Sequence, residues 1–299
     1  MSLLEADAAA VTPLPRQSTG KRLADRAFWV VLFVSFGVAV VGLVALLWYV
    51  FDTGWPAFGG RLWRRFPSLD PEIAGARSAV FGTIWVLGIT AALAVPIGIG
   101  AAVYLEEFAS HDRWYTRWIA LNIQNLAGVP SIVYGILGLA FITRGPLGLG
   151  PTVLTGGMIL ALLVLPIVII ASREAIRAVP PSIRDGSLAL GATRLQTVRR
   201  QLLPAAIPGI ATGVILALSR AIGEAAPLIM IGAFTYVPFN PTRLDSKFTV
   251  LPIQIFDWIG RPQEGFTQLA AAACILLLII LLFMNALAIW LRNRYQQRW

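Results

Sequence analysis

Five stretches of 25 to 28 residues contain no Asp, Glu, Lys or Arg: Ala27–Phe51, Ser78–Leu105, Trp118–Thr143, Gly145–Ser172 and Phe266–Leu291. A sixth, Gln201–Thr242, is interrupted only by Arg220 and Glu224. Crossing about 30 Å of hydrocarbon takes roughly 20 helical residues, so each stretch can span a bilayer once. A closed barrel would need alternating strands of about 10 residues, and runs such as Ala161–Ile170 (ALLVLPIVII) do not alternate. The expectation is therefore an all-α membrane protein with six transmembrane helices. Composition agrees, because 57% of the 299 residues are hydrophobic and 13% charged, against about 25% charged in soluble domains. One cysteine, Cys274, and one histidine, His111, exclude a disulfide framework and leave no histidine- or cysteine-rich metal centre. The net charge of +9 sits beside the apolar runs, which points to a membrane surface and not to nucleic acid.

Lys and Arg also orient the chain. With both termini cytoplasmic, 15 basic residues fall inside and 8 outside, and Arg220 lies within a span. The expected layout is a mostly disordered cytoplasmic tail over residues 1–26, a six-helix domain over 27–292 and a cytoplasmic tail over 293–299. Met1–Arg26 has no apolar core and carries Glu5 and Asp7, so it does not read as a signal peptide. His111 reads as a solvent-exposed residue of a short inside loop. Pro96, Pro130, Pro166 and Pro227 should each kink or interrupt a helix, since proline removes a donor and clashes with the preceding turn.

The longest inside loop, Ser172–Gly209, is also the most basic. Pro180-Pro181 should end one helix and Ser182 cap the next, with Asp185 three residues on as in a weak capping box. Gly191 suits the left-handed turn that closes a helix. A further helical stretch begins near Thr193. Leu188, Leu190 and Leu195 are out of place on a solvated loop, so they pack either on this chain's own helices or against a soluble partner.

Arg220 and Glu224 are the only ionisable residues well inside a run. Arg220 lies 12 residues past Pro208, about 18 Å along a helix. An arginine there costs about 2.5–3.5 kcal/mol on insertion scales. At i, i+4 the two share a helix face. They are either a self-neutralised packing pair or a contact on a substrate pathway. The planar guanidinium fork suits an oxyanion, and a carboxylate can accept the O–H that phosphate keeps near pH 7 and sulfate lacks. Pro227, one turn further, is the proline expected to shape such a pathway. Arg173 and Glu174 read as interfacial, with their heads snorkelling to water. Asn122, Gln124 and Asn125 should face the bundle interior or the cytoplasmic interface.

Asp185-Gly186-Ser187, three residues, Gly191, then Leu203-Pro204 resembles the EAA loop of ABC importer permeases. That motif runs Glu-Ala-Ala, three residues, Gly, nine residues, Ile-x-Leu-Pro. Here Asp185, Gly186 and Ser187 replace Glu-Ala-Ala, and Gln201 stands at the isoleucine position. Asn125–Leu139, Ser219–Ile229 and Phe248–Phe266 are similar to phosphate-importer permeases, and Gly223–Pro227 with the Leu-Pro-Ile-Gln segment favours the PstA type over its PstC-type partner. The resemblance implies the type I ABC importer permease fold and a bacterial inner-membrane location. It makes residues 173–207 the loop, with Leu188 on its coupling helix, that fits a groove of an ATPase subunit. It implies a heterodimer with a PstC-type permease, two ATPase subunits and an external phosphate-binding protein. It also supports an arginine at position 220 in phosphate passage. No Gly-x-x-x-x-Gly-Lys-[Ser/Thr] occurs, so ATP and Mg would sit on the partner ATPases, leaving this chain without cofactor or enzymatic activity. The alternatives are a permease for another oxyanion, such as sulfate or molybdate, and an ion-coupled secondary carrier. A membrane enzyme finds no catalytic centre in these residues.

Overall fold

The apolar runs become helices because a chain in lipid must satisfy every backbone N–H and C=O internally. A computed structural model describes residues 19–110 and 112–295. His111, residues 1–18 of the expected tail and the last four residues lie outside the described part. In chain order the helices are α1 (Thr19–Gly54), α2 (Gly60–Arg64), α3 (Arg77–Val103), α4 (Trp114–Ala127), α5 (Ser131–Gly138) and α6 (Val153–Arg177). They continue with α7 (Pro181–Ala189), α8 (Arg194–Thr197), α9 (Leu203–Ile222), α10 (Ala226–Met230), α11 (Leu251–Ile259) and α12 (Glu264–Tyr295). No β-strand occurs among the described residues. Helix therefore begins at Thr19, inside the segment expected to be a disordered tail, and runs on to Tyr295 at the other end.

The chain divides into two compact units, residues 1–49 and 50–299. In the first, α1 is apolar around its circumference, with Phe28, Trp29, Phe33, Phe36 and Trp48 all exposed. A helix apolar all round belongs in lipid or against another apolar surface.

The second unit is organised around α6. Ile159, Leu160, Val164 and Val168 of α6 form one core with Val86 and Ala94 of α3, and with Ala217 and Ala221 of α9. Small residues allow close approach where α6 meets α9: a methyl group added at Gly213 would lie 2.2 Å from Ala171 Cβ, and one at Gly209 would lie 2.7 Å from Ala175 Cβ. Such small-residue seams pack helices where no hydrophobic effect drives them together. The orphan N–H groups at the start of α6 are satisfied by Ser246 and Leu244 carbonyls, each at 3.0 Å. A second core joins Leu62, Leu251, Trp258, Phe266 and Leu269.

Five helical stretches are long and apolar enough to cross a membrane: Asp25–Ala57, Arg77–Phe108, Val153–Arg177, Arg194–Ile222 and Glu264–Arg294. The third expected span is different. Trp114–Ala127 and Ser131–Thr143 are bent by 102° at their junction, and count as a sixth span only if taken together. The fifth expected span also stops early, at Ile222, and most of Gly223–Thr242 is coil around the short α10. Pro96 and Pro166, in contrast, sit inside continuous helices. At the broken places a glycine precedes the proline, Gly128 before Pro130 and Gly223 before Pro227, and glycine adds its own helix cost of about 1 kcal/mol. Helix α11, unforeseen from sequence, buries Leu251, Ile253, Gln254 and Trp258.

Candidate functional site

Arg220 stands in the last turn of α9, and the helix stops two residues later. A helix continued through Pro227 would lose an N–H and drive the ring into the carbonyl of Gly223. The backbone instead closes with Gly223 N–H on Arg220 O and Glu224 N–H on Ala221 O, both at 3.2 Å. Arg220 Nε reaches Glu224 Oε1 at 3.3 Å. The expected pair thus forms, but across a helix end and not along one face of an unbroken helix. The carboxyl-terminal dipole favours a cation at this place by about 0.3–1 kcal/mol. Side-chain exposure is 44% for Arg220 and 19% for Glu224, so the guanidinium still presents an open face.

Pro227 lies in the first turn of α10 and is buried. Its backbone touches α5 so closely that a methyl group on Gly135 would lie 2.7 Å from Pro227 Cα. The break in α9–α10 therefore abuts the second half of the bent α4–α5 pair. Tyr134 closes that bend by donating its hydroxyl to Leu126 O at 2.8 Å. Pro227 acts here as a packing surface at a break and not as a kink in a running helix. On α9 itself, Ser219 donates to Asn285 Oδ1 of α12 at 2.7 Å. Gln124 and Asn125 are exposed on this chain, while Asn122 donates to Trp118 O at 2.7 Å.

The inside loop is an ordered helix–turn–helix. Pro180 occupies the N-cap position and Pro181 the first turn of α7, so the helix starts ahead of Ser182, which does not cap it. Proline's fixed φ suits that first position. Gly191 adopts φ +84°, with its N–H on Leu188 O at 2.9 Å. Thr193 and Gln196 then form a reciprocal capping box, with bonds of 3.3 and 2.9 Å. A π turn, Val198–Leu202, leads into α9. Leu203 and Pro204 stand where this π turn passes into α9. No residue of α7 is buried. Asp185 and Gly186 are exposed, Ser187 half-buried, and Leu188, Leu190 and Leu195 are 38%, 91% and 65% exposed. These leucines do not pack on the chain's own core.

Arg173 is paired within the protein. Its side chain is 12% exposed and bonds Glu106 Oε1 at 2.7 Å, whereas Glu174 is 66% exposed. Pairs this shielded cost about 3–5 kcal/mol to break from one side. Glu106 and Glu107 escaped the reading of the sequence. The signal was there in principle: two acids end one apolar run, facing two arginines that end another.

Residues 94–298 match the family described as binding-protein-dependent transport system inner membrane component. The chain belongs to this family. These transport components include the phosphate transport system permease protein PstA 1 of Mycobacterium tuberculosis H37Rv, 33% identical over 253 residues, covering 83% of this chain and 81% of that one. PstA of Yersinia pestis is 28% identical over 263 residues, with 87% and 88% covered. Among solved structures, the permease fold recurs in a bacterial alginate ABC transporter in complex with its alginate-loaded periplasmic protein. There the TM-score is 0.62 at 16% identity, over 90% of this chain and 93% of that one. The methionine ABC transporter in an inward-facing form gives 0.60 at 18% identity, over 74% and 97%. The chain is thus a multi-pass permease subunit of an ABC importer with the type I fold, which sets aside the secondary carrier and the membrane enzyme.

Proposed function

We propose that this chain is one of two permease subunits of an ATP-driven phosphate importer in the inner membrane of a bacterium, with both termini cytoplasmic. One observation carries the reading: an arginine–carboxylate pair is held at a helix break inside apolar helices that carry no other mid-run charge. The likeness to permeases named for phosphate supports the choice of anion. A PstC-type permease supplies the other half of the pathway, two ATPase subunits hold ATP and Mg, and an external binding protein delivers phosphate. The exposed leucines of α7 and of the turn after it support docking to an ATPase subunit.

The contact to Glu224 engages Nε of Arg220, which leaves the Nη side of the fork for two phosphate oxygens. Glu224 accepts the remaining P–O–H, repels a fully deprotonated anion, and tempers Arg220 so that the anion can leave. ATP-driven closure of the ATPases reaches the spans through Asp185–Pro204.

The test is ATP-dependent uptake in vesicles holding all subunits. Arg220→Gln should lower phosphate uptake by about 10- to 100-fold, the range one charge-assisted contact of about 1.5–3 kcal/mol implies, with the complex still assembled. In a variant complex that transports without the binding protein, Glu224→Gln should erode preference for phosphate over sulfate. Should both variants keep parental flux and selectivity in assembled complex, the pair is a packing device. A cysteine replacing Arg194 should label only from the ATPase face, and labelling from the other side reverses the orientation.

A further inference from the structure

Two adjacent carboxylates tie α7 to the rest of the bundle. Glu106 and Glu107 lie in the π turn Tyr104–Phe108 that continues α3. Successive residues on a helical turn point in different directions, so neighbours such as these reach different elements. Glu106 turns to α6, accepting from Arg173 Nε at 2.7 Å and Arg177 Nε at 2.9 Å. Glu107 turns instead to α7, where it accepts from Arg184 Nη2. Both carboxylates are shielded, at 4% and 9% side-chain exposure.

Packing does little of this work. None of the residues of α7 is buried, and the bond between the Ser187 and Thr197 hydroxyls, 3.0 Å, leads only to its own continuation in α8. A cavity of about 420 Å³ opens beside the pair, lined among others by Glu107, Ser110, Arg184, Leu188 and Arg194. The Glu107–Arg184 pair therefore bridges a gap instead of sealing a packed seam. Apolar surfaces can slide past one another, whereas this pair resists separation on the carboxylate's side: Glu107, 9% exposed, would be left poorly solvated, while Arg184 is 39% exposed.

We propose that Glu106 and Glu107 are the joint through which α7 moves α3 and α6. Glu107 takes up the displacement of α7 through Arg184. Glu106, one residue away on a turn type that often marks functional sites, passes it to α6 through Arg173 and Arg177. Both are positioning residues, and the joint deepens the coupling role given above to Asp185–Pro204 and rests on it.

The test uses the whole complex in lipid vesicles: this chain, the second permease, the ATPase subunits and the phosphate-binding protein. The readout is phosphate taken up per ATP hydrolysed, which a loss of stability alone would not change. Glu107→Gln keeps size and loses charge. It should leave subunit ratio and basal ATP hydrolysis unchanged while phosphate moved per ATP falls about tenfold, the weight of one charge-assisted hydrogen bond. Glu107→Arg alone should do the same, and adding Arg184→Glu should restore most of the loss. A cysteine replacing Leu190, cross-linked to an ATPase subunit, reads docking separately. If that cross-link forms in parent and variant alike and phosphate per ATP is unchanged in Glu107→Gln, the joint is refuted and docking of α7 survives. If no cross-link forms in the parent, the coupling reading has failed and the joint with it. A Glu107→Gln complex that neither assembles nor recovers with the charge swap also overturns the joint.

Discussion

The chain interrupts its helices twice on either side of α9, and the two interruptions are built on opposite principles. Between α6 and α9, residues 178–202 are held by local devices: Pro181 in the first turn of α7, Gly191 at φ +84°, and the Thr193–Gln196 capping box. The outer face of α7 remains open. Between α9 and α10 there is no side-chain cap. Residues 223–225 are held by close packing of Pro227 on Gly135 and by the Arg220–Glu224 contact. The first interruption holds its own turns, and it is fastened to the bundle through the Glu107–Arg184 pair. The second is started by Pro227 and enclosed by another broken helix, α4–α5, packed against it. A docking element needs the former construction. A polar gap within apolar helices needs the latter, because backbone freed from helical bonding is tolerated there only when protein surrounds it.

Substituting glycine in both places tests this contrast, and the largest effect belongs to Gly135→Ala. The added methyl would lie 2.7 Å from Pro227 Cα and 2.9 Å from Pro227 O, both backbone atoms that cannot rotate away. Overpacking of this kind costs about 1–3 kcal/mol. Thermal unfolding of the purified complex should shift downward accordingly, and phosphate uptake should fall with it. Parental stability in Gly135→Ala would mean that the two breaks are not packed on each other as described.

Gly191→Val probes the other interruption. At φ +84° a β-branched residue is strained by about 1–2 kcal/mol, although nothing lies within 4 Å of the added Cβ. The strain is local, so the spans should stay folded while α7 loses its orientation. Substrate-stimulated ATP hydrolysis and transport should drop together in a complex of normal subunit composition. Full coupling in that complex would remove Asp185–Pro204 from the transmission path.

The helices were legible in the sequence for one physical reason: lipid offers the backbone no alternative partner, so long charge-free runs had to be helical. What limited the reading was the same uniformity. Pro130 and Pro227 look like Pro96 and Pro166 within an apolar run, and the glycines that precede them, with the mutual fit at Gly135, separate breaks from tolerated prolines. Helix α11 buries one face, and nine residues are too few for periodicity to declare it. The Arg220–Glu224 contact followed from i, i+4 spacing and an interruption near it from Pro227, yet the helix end at Ile222, which falls between the two charges, did not. The exposed leucines of the inside loop were legible as apolar residues in a polar setting. Glu106 and Glu107 were not, because their partners Arg173, Arg177 and Arg184 lie 67, 71 and 77 positions along the chain.

Gly186→Ala should have the smallest effect, and its sign is opposite to that of the same change at Gly135. Gly186 is interior to α7, exposed, and a Cβ there meets nothing within 4 Å. Alanine favours helix over glycine by up to about 1 kcal/mol at such a position. Amide exchange at Leu190, whose N–H bonds Gly186 O at 3.2 Å, should therefore slow by up to about fivefold. Transport should hold or rise slightly, since a stiffer α7 loses less motion before Arg184 pulls on Glu107. Faster exchange would show that α7 is not limited by its own helix propensity. Its order would then come from the ion pair at Arg184 or from a bound partner, and the claim that this interruption holds itself would fall, while the tight seam at Gly135 would stand untouched.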